Sequence, residues 1–258
     1  MKKLSRILAS LGVAFCANTF AMDDAVCAQV RRDLREGDLI FLEIENPVFQ
    51  RVARVSGGWT SHVGVAIWDS NFRELVVAHS TIPRVTIWNL CKFLRHGKDS
   101  HFAVTRLKVF KDESERSPRF KLPVRIPLVS MIQDLLGTFY HLGFKLESKR
   151  QFCSKFVWQL YQDTLNVDIG RVETVEELVR KNLAGHEFEK SDRKFWRWWF
   201  MGRIPWKRKT ITPESIYNDP RFYEVIYHPP LGNWRLARRV AQPTENYESK
   251  WKNRELLY

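Results

Sequence analysis

HVGVAIWDSNFRELVVAHS, residues 62–80, is the stretch on which the fold turns. Its halves, His62–Trp68 and Glu74–Ser80, are rich in β-formers, and the turn residues DSN lie between them. The pattern predicts an antiparallel hairpin. With the turn centred between Ser70 and Asn71, His62 lies opposite His79, and Gly64 and Ala66 share their face. Those small residues would leave room for another element to approach the sheet.

Working outward, REGDLIFLEI (Arg35–Ile44) reads as a turn followed by an apolar strand, and RVSGGWTS as a glycine-paired loop. Residues 101–109 suggest a further strand, the charged residues 111–118 an exposed loop or helix entry, and Leu128 to Phe139 a helix. After Cys153, the apolar Phe156, Val157, Leu160, Tyr161 and Leu165 follow helical spacing. Thr174 and Glu177 form the signature of a capping box. ITPESIY then reads as a turn or helix start, and FYEVIYH as a late strand. The expectation is one α+β domain over 29–240, an antiparallel sheet or small barrel packed against helices, with a charged tail at 241–258.

The chain opens with Lys2, Lys3 and Arg6, a short apolar run and small residues ending at Ala21. This is the form of an export signal over 1–21, with cleavage after Ala28 as the alternative, and it implies a periplasmic protein. The net charge is +13, of which the signal would remove three. A balance this basic favours anionic partners: acidic headgroups or wall polymer for an exported chain, with nucleic acid the weaker match. Cys27, Cys91 and Cys153 would remain, and three thiols cannot all pair.

A cysteine at the start of an amphipathic helix is either a small core residue or a nucleophile. A helix N-terminus and a nearby imidazole both favour the thiolate, which is the attacking species. His62 would then take the thiol proton, and His79 would hold the His62 ring in the right tautomer. Trp59 and Ser61 flank the histidine and would line the cleft. No HExxH or CxxC pair occurs, so neither a metal nor another cofactor is expected.

GDLIF, SHVGVAIW, FCSKFVWQLY and TPESIY, in that order, resemble the permuted NlpC-type papain-like superfamily, near its YiiX/YebB-like branch. The resemblance runs from about Gly37 to Tyr217 and is closest over YHLGFKLESKRQFCSKFVW and FWRWWFMGRIPWKRKTITPESI. It implies a circularly permuted papain-like fold and a cysteine peptidase or amidase. Cys153 would be the nucleophile, His62 the base and His79 the polar third residue, where this branch often carries Glu. Tyr140 resembles the tyrosine that such enzymes place near the oxyanion.

The resulting expectation is an exported cysteine hydrolase acting on an amide in a wall stem peptide or small peptide, through a thioester. Two alternatives stand beside it: a lipid acyl hydrolase or acyltransferase using the same pair, and a non-catalytic wall- or lipid-binding module. The basic stretch KFWRWWFMGRIPWKRK motivates the first, because Trp196, Trp198, Trp199 and Trp206 could meet an anionic membrane or simply pack on the core; in the second, His79 marks decayed chemistry.

Overall fold

The computed structural model describes residues 14–71, 73–108, 125–183, 190–230 and 235–236. Most of the expected signal, the loop 111–118 and the tail 241–258 lie outside the described residues.

Nine strands are described: β1 (Leu39–Ile44), β2 (His62–Asp69), β3 (Glu74–Ser80), β4 (Val85–Asn89), β5 (Gly97–Leu107), β6 (Val172–Thr174), β7 (Lys209–Ile211), β8 (Phe222–His228) and β9 (Arg235–Leu236). Seven form one antiparallel sheet in the order β4-β3-β2-β1-β5-β8-β9, and β6 pairs with β7 separately. The expected hairpin is present, but its register differs. β2 pairs Val65 with Ala78 and Ile67 with Val76, so His79 falls opposite Gly64, not His62. The loop is longer than a tight turn, with Arg73 at a left-handed φ of 54°. A shift of two residues preserves the face, so His62 and His79 remain diagonal neighbours.

Eight helices complete the described chain: α1 (Ala14–Asp33), α2 (Pro47–Ser56), α3 (Leu90–Leu94), α4 (Arg125–Leu135), α5 (Cys153–Leu165), α6 (Val175–Asn182), α7 (Lys190–Trp199) and α8 (Pro213–Tyr217). α2 escaped the sequence reading, although Asn46 caps it, Pro47 starts it and Gly57 ends it in the left-handed region. The capping box at Thr174 and Glu177 forms as expected.

The sheet is covered on both faces. Odd residues of β2 and even residues of β3 (Val63, Val65, Ile67, Val76, Ala78) join α5 and α4 in one apolar core. Phe156, Val157 and Leu160 of α5 are wholly buried there, each contributing roughly 1.5–3 kcal/mol. On the opposite face Ala66, Val77 and Phe102 pack with Phe93 of α3 and with Cys27, Val30 and Leu34 of α1. A disulfide joins Cys27 to Cys91 across α1 and α3. The packed body therefore reaches upstream of residue 29.

Candidate active site

α5 begins at Cys153 because Phe152 holds an extended backbone (φ −132°, ψ 163°) and receives no side-chain cap among the described residues. Neighbouring polar residues anchor this start. Ser154 Oγ donates to the Ile211 carbonyl at 2.8 Å, and Lys155 Nζ donates to the carbonyls of Ser148 and Arg150. Cys153 is a free thiol, 3% exposed. Its Sγ lies 4.0 Å from the Ser61 carbonyl oxygen, and the backbone N–H of Val63 also acts on it. The sulfur is thus seated against the backbone on both sides of His62.

His62 Nε2 and His79 Nδ1 are 2.9 Å apart, and both rings are buried. Burial lowers His62 to about 3, with a smaller push from His96. It lowers His79 to about 2, helped by His62, His96 and Lys92. Both imidazoles are neutral at neutral pH, so one nitrogen of the bonded pair donates and the other accepts. His79 Nε2 has no hydrogen-bond partner among the described residues; the Trp88 ring packs edge-on against this imidazole at 4.4 Å.

Two expectations need correction. The space above Gly64 and Ala66 belongs to α3, not to α5: a Cβ on Gly64 would meet Val77 Cγ1 at 2.6 Å and Phe93 Cζ at 3.0 Å. α5 packs on the other face, through Val63 and Val65. His62 stands at the strand start where the two cores meet, its ring 5.7 Å from Phe93 and 6.4 Å from Phe49 of α2. Secondly, the resting thiol is not activated. Burial pushes Cys153 up to about 11 and outweighs the backbone N–H groups of Ser154 and Val63, which pull the other way.

Tyr140 is buried beside the thiol. Burial, followed by the neighbouring Cys153, raises its phenol well above the ordinary value, and its hydroxyl has no partner of ordinary hydrogen-bond geometry among the described residues. Ser61 is differently placed from expectation. Its Oγ accepts from Ile44 N–H at 2.8 Å, so the hydroxyl ties β1 to the loop rather than lining a cleft. Trp59 is half-buried, stacked on His101 with ring centroids 3.9 Å apart.

One carboxylate that positions the site loop was missed. Glu214 at the start of α8 accepts from Thr60 N–H (3.1 Å), Thr60 Oγ1 (2.7 Å) and Asn218 Nδ2 (2.6 Å). A Cβ on Gly58 would meet its carboxyl carbon at 2.0 Å, so only glycine admits this approach. The TPESIY segment thereby clamps the GGWTS loop two residues before His62. An Asp or Glu just after a helix cap was the sequence signal, but its partner lies 154 residues away. Beside the clamp, a polar cleft of about 530 Å³ is lined by Glu214, Asn218, Arg171 and Arg221.

The family described as permuted papain-like amidase enzymes, YaeF/YiiX, C92 family, matches residues 33–226. An uncharacterized protein YiiX of Escherichia coli K12 is 21% identical over 145 residues, covering 56% of this chain and 64% of the relative, so the match spans less than two thirds of that protein. The crystal structure of the metalloprotein YiiX from Escherichia coli O157:H7 superposes with a TM-score of 0.64 at 20% identity, over 77% of this chain and 99% of the other. That likeness is one of fold. The chain belongs to the permuted papain-like amidase family.

Proposed function

We propose that Cys153 is the nucleophile of this hydrolase, that His62 is its general base and acid, and that His79 positions His62. The observation that carries the reading is the seat of the sulfur: an uncapped helix start, pressed against the backbone that flanks a buried neutral imidazole. Since His62 Nε2 is engaged by His79, Nδ1 is the nitrogen left for the thiol. If His62 donates that hydrogen bond, its Nδ1 lone pair is basic and the His79 Nε2–H rests beside Trp88.

The thiol proton passes to His62 Nδ1 as sulfur attacks an amide carbonyl. The Cys153 backbone N–H and the Tyr140 hydroxyl, buried beside the sulfur, donate to the oxyanion. His62 returns its proton to the leaving amine, leaving a thioester, and water activated by the same imidazole releases the acid. Trp59, held by His101, forms part of the substrate wall. Substrate must bring most of the activation, because thiol and imidazole rest uncharged.

The Cys27–Cys91 disulfide supports an exported, periplasmic protein, where such bonds persist. Processing after Ala21 keeps Cys27; processing after Ala28 would remove it. In that compartment the amide substrate is a wall stem peptide or small peptide. The solved relative is described as a metalloprotein. Among the described residues no group of three or more His, Cys, Asp or Glu gathers to hold a metal, and His62 Nε2 and His79 Nδ1 are spent on each other. The site does not fit a metal, and no step uses one.

Intact-protein mass spectrometry after incubation with a panel of acyl amides and esters should show an acyl adduct on Cys153. The adduct should be missing in Cys153→Ala. A wild type with neither adduct nor iodoacetamide-sensitive turnover overturns the reading.

A further inference from the structure

Around Tyr140 the molecule carries an apolar surface that its own cores do not use. Phe139 is 63% exposed, Ile82 53% and Leu142 48%, while the Tyr140 ring between them turns inward to the thiol. Backbone contacts join these residues: Arg84 bridges to Phe139, and Tyr140 N–H donates to the Pro83 carbonyl at 2.8 Å. On the other side, Trp199 Nε1 donates to the Leu142 carbonyl at 2.9 Å. That bond brings the end of α7 alongside, with Trp198 71% and Met201 96% exposed.

α7 is held firmly in this pose. Asp192 pairs with Arg51 at 3.2 Å and Arg54 at 3.0 Å, and Arg51 lies over the Phe195 ring at 4.1 Å. Trp196 is buried, lining an apolar cavity of about 70 Å³ with Val52, Leu178 and Phe200. Of the four tryptophans in the basic stretch, then, Trp196 packs inward and Trp199 is half-buried, while Trp198 and Trp206 are exposed. Burying one side of the helix fixes the other side in solvent.

Single exposed apolar residues are ordinary on a protein surface. A run of them, linked by contacts and carried on cationic segments, calls for a partner. The same segments bear exposed Arg84, Lys145, Arg150, Arg197, Arg203 and Lys207, against the exposed acids Asp134 and Glu147. We propose that this surface docks the protein peripherally on an anionic lipid bilayer. Trp198, Met201, Phe139 and Leu142 enter the headgroup region, and the cations meet acidic headgroups. The docking proposed is peripheral, through side chains at the surface; no described helix is long and apolar enough to cross a membrane. It turns the Tyr140 loop, and with it the approach to Cys153, toward the bilayer; only this last consequence rests on the catalytic reading above.

Co-sedimentation of the full chain with phosphatidylcholine vesicles, and with vesicles containing phosphatidylglycerol, tests the docking. Binding should require the anionic lipid and weaken as salt rises. The double substitutions Trp198→Ser with Met201→Ser, and Arg197→Glu with Arg203→Glu, should each lower the partition about tenfold or more. Circular dichroism checks that both variants fold. Cys153→Ala should bind like the wild type, which separates docking from catalysis. Wild-type protein left in the supernatant, equal binding to both vesicle types, or anionic binding that survives both double substitutions overturns the proposal. So does a dimer that dissociates on Trp198→Ser with Met201→Ser, since that would give the surface to a second copy of the chain.

Discussion

Two buried histidines on this sheet meet opposite kinds of partner. His62, at the head of β2, bonds a second imidazole, His79, at 2.9 Å. His101, on β5, meets the Glu43 carboxylate at 2.6 Å, with Tyr227 on its other nitrogen at 3.3 Å. A carboxylate supports the imidazolium; a neutral imidazole supports it much less, and burial then drives the proton off. The fold can evidently set a carboxylate beside a buried histidine, since it does so at His101. At His62 it sets His79 and keeps the ring uncharged, ready to accept a proton rather than to hold one. His101 is occupied on both nitrogens and serves to carry the Trp59 ring.

The largest effect that separates the two pairs is catalytic. His62→Ala should lower kcat/KM about a thousandfold, the scale of losing a general base. His101→Ala should raise KM by less than about tenfold, through a loosened Trp59, and leave kcat in place. Steady-state kinetics on one amide substrate checks both. Equal losses in kcat would break the comparison, because His101 would then belong to the chemistry.

The second effect is acid lability. Both rings of the His62–His79 pair have folded values below the unfolded 6.5, at about 3 and about 2. Their contribution to stability is therefore complete above pH 6.5 and is lost as pH falls toward 3. In that window each neutral ring costs about 1.4 kcal/mol per pH unit, so the pair costs about 3 kcal/mol per unit. Denaturant unfolding at pH 7, 6 and 5 should show this slope, and His79→Asn should reduce it by about half. Cys153 works in the other direction: its value rises from 9.0 to about 11, so its contribution is full below pH 9 and fades as pH climbs through 11. A stability curve flat between pH 7 and 5 would mean that the folded pair keeps its protons, and the reading of His62 and His79 as neutral rings would fall.

These differences show which parts of the site were legible in the sequence. The alternation of HVGVAIW and ELVVAHS put His62 and His79 on one face, and the helical spacing after Cys153 located the helix that opens on the free thiol. Face survives a register error of two residues, which is why the pair was found although the loop through Arg73 is wider than expected. What covers each face was not legible. The sequence does not say that Phe93, from the short helix α3, fills the space over Gly64, because that contact joins elements by tertiary packing and leaves no periodic mark. Glu214 was hidden for the same reason: TPESIY shows a cap, whereas the Thr60 backbone it clamps is distant along the chain. Ser61 looked like a cleft residue by its place beside His62, yet Ile44 N–H, an orphan donor at the end of β1, takes its hydroxyl.

The smallest effect should come from the carboxylate itself. Glu43→Gln keeps the shape beside His101 and keeps an acceptor oxygen for its ring, but removes the charge that also faces Lys98 at 3.9 Å. Lys98 is about a third exposed, so its share is screened by solvent and small. The 2.6 Å bond to His101 is the main loss, about 1–2 kcal/mol of stability for a charge-assisted hydrogen bond reduced to a neutral one. Because Trp59 stays stacked on an unmoved ring, kcat and KM should both remain within about twofold of wild type. Thermal unfolding beside steady-state kinetics reads the two quantities separately. A Glu43→Gln protein of full stability and collapsed kcat would reverse the assignment, making the His101 pair the one that handles protons.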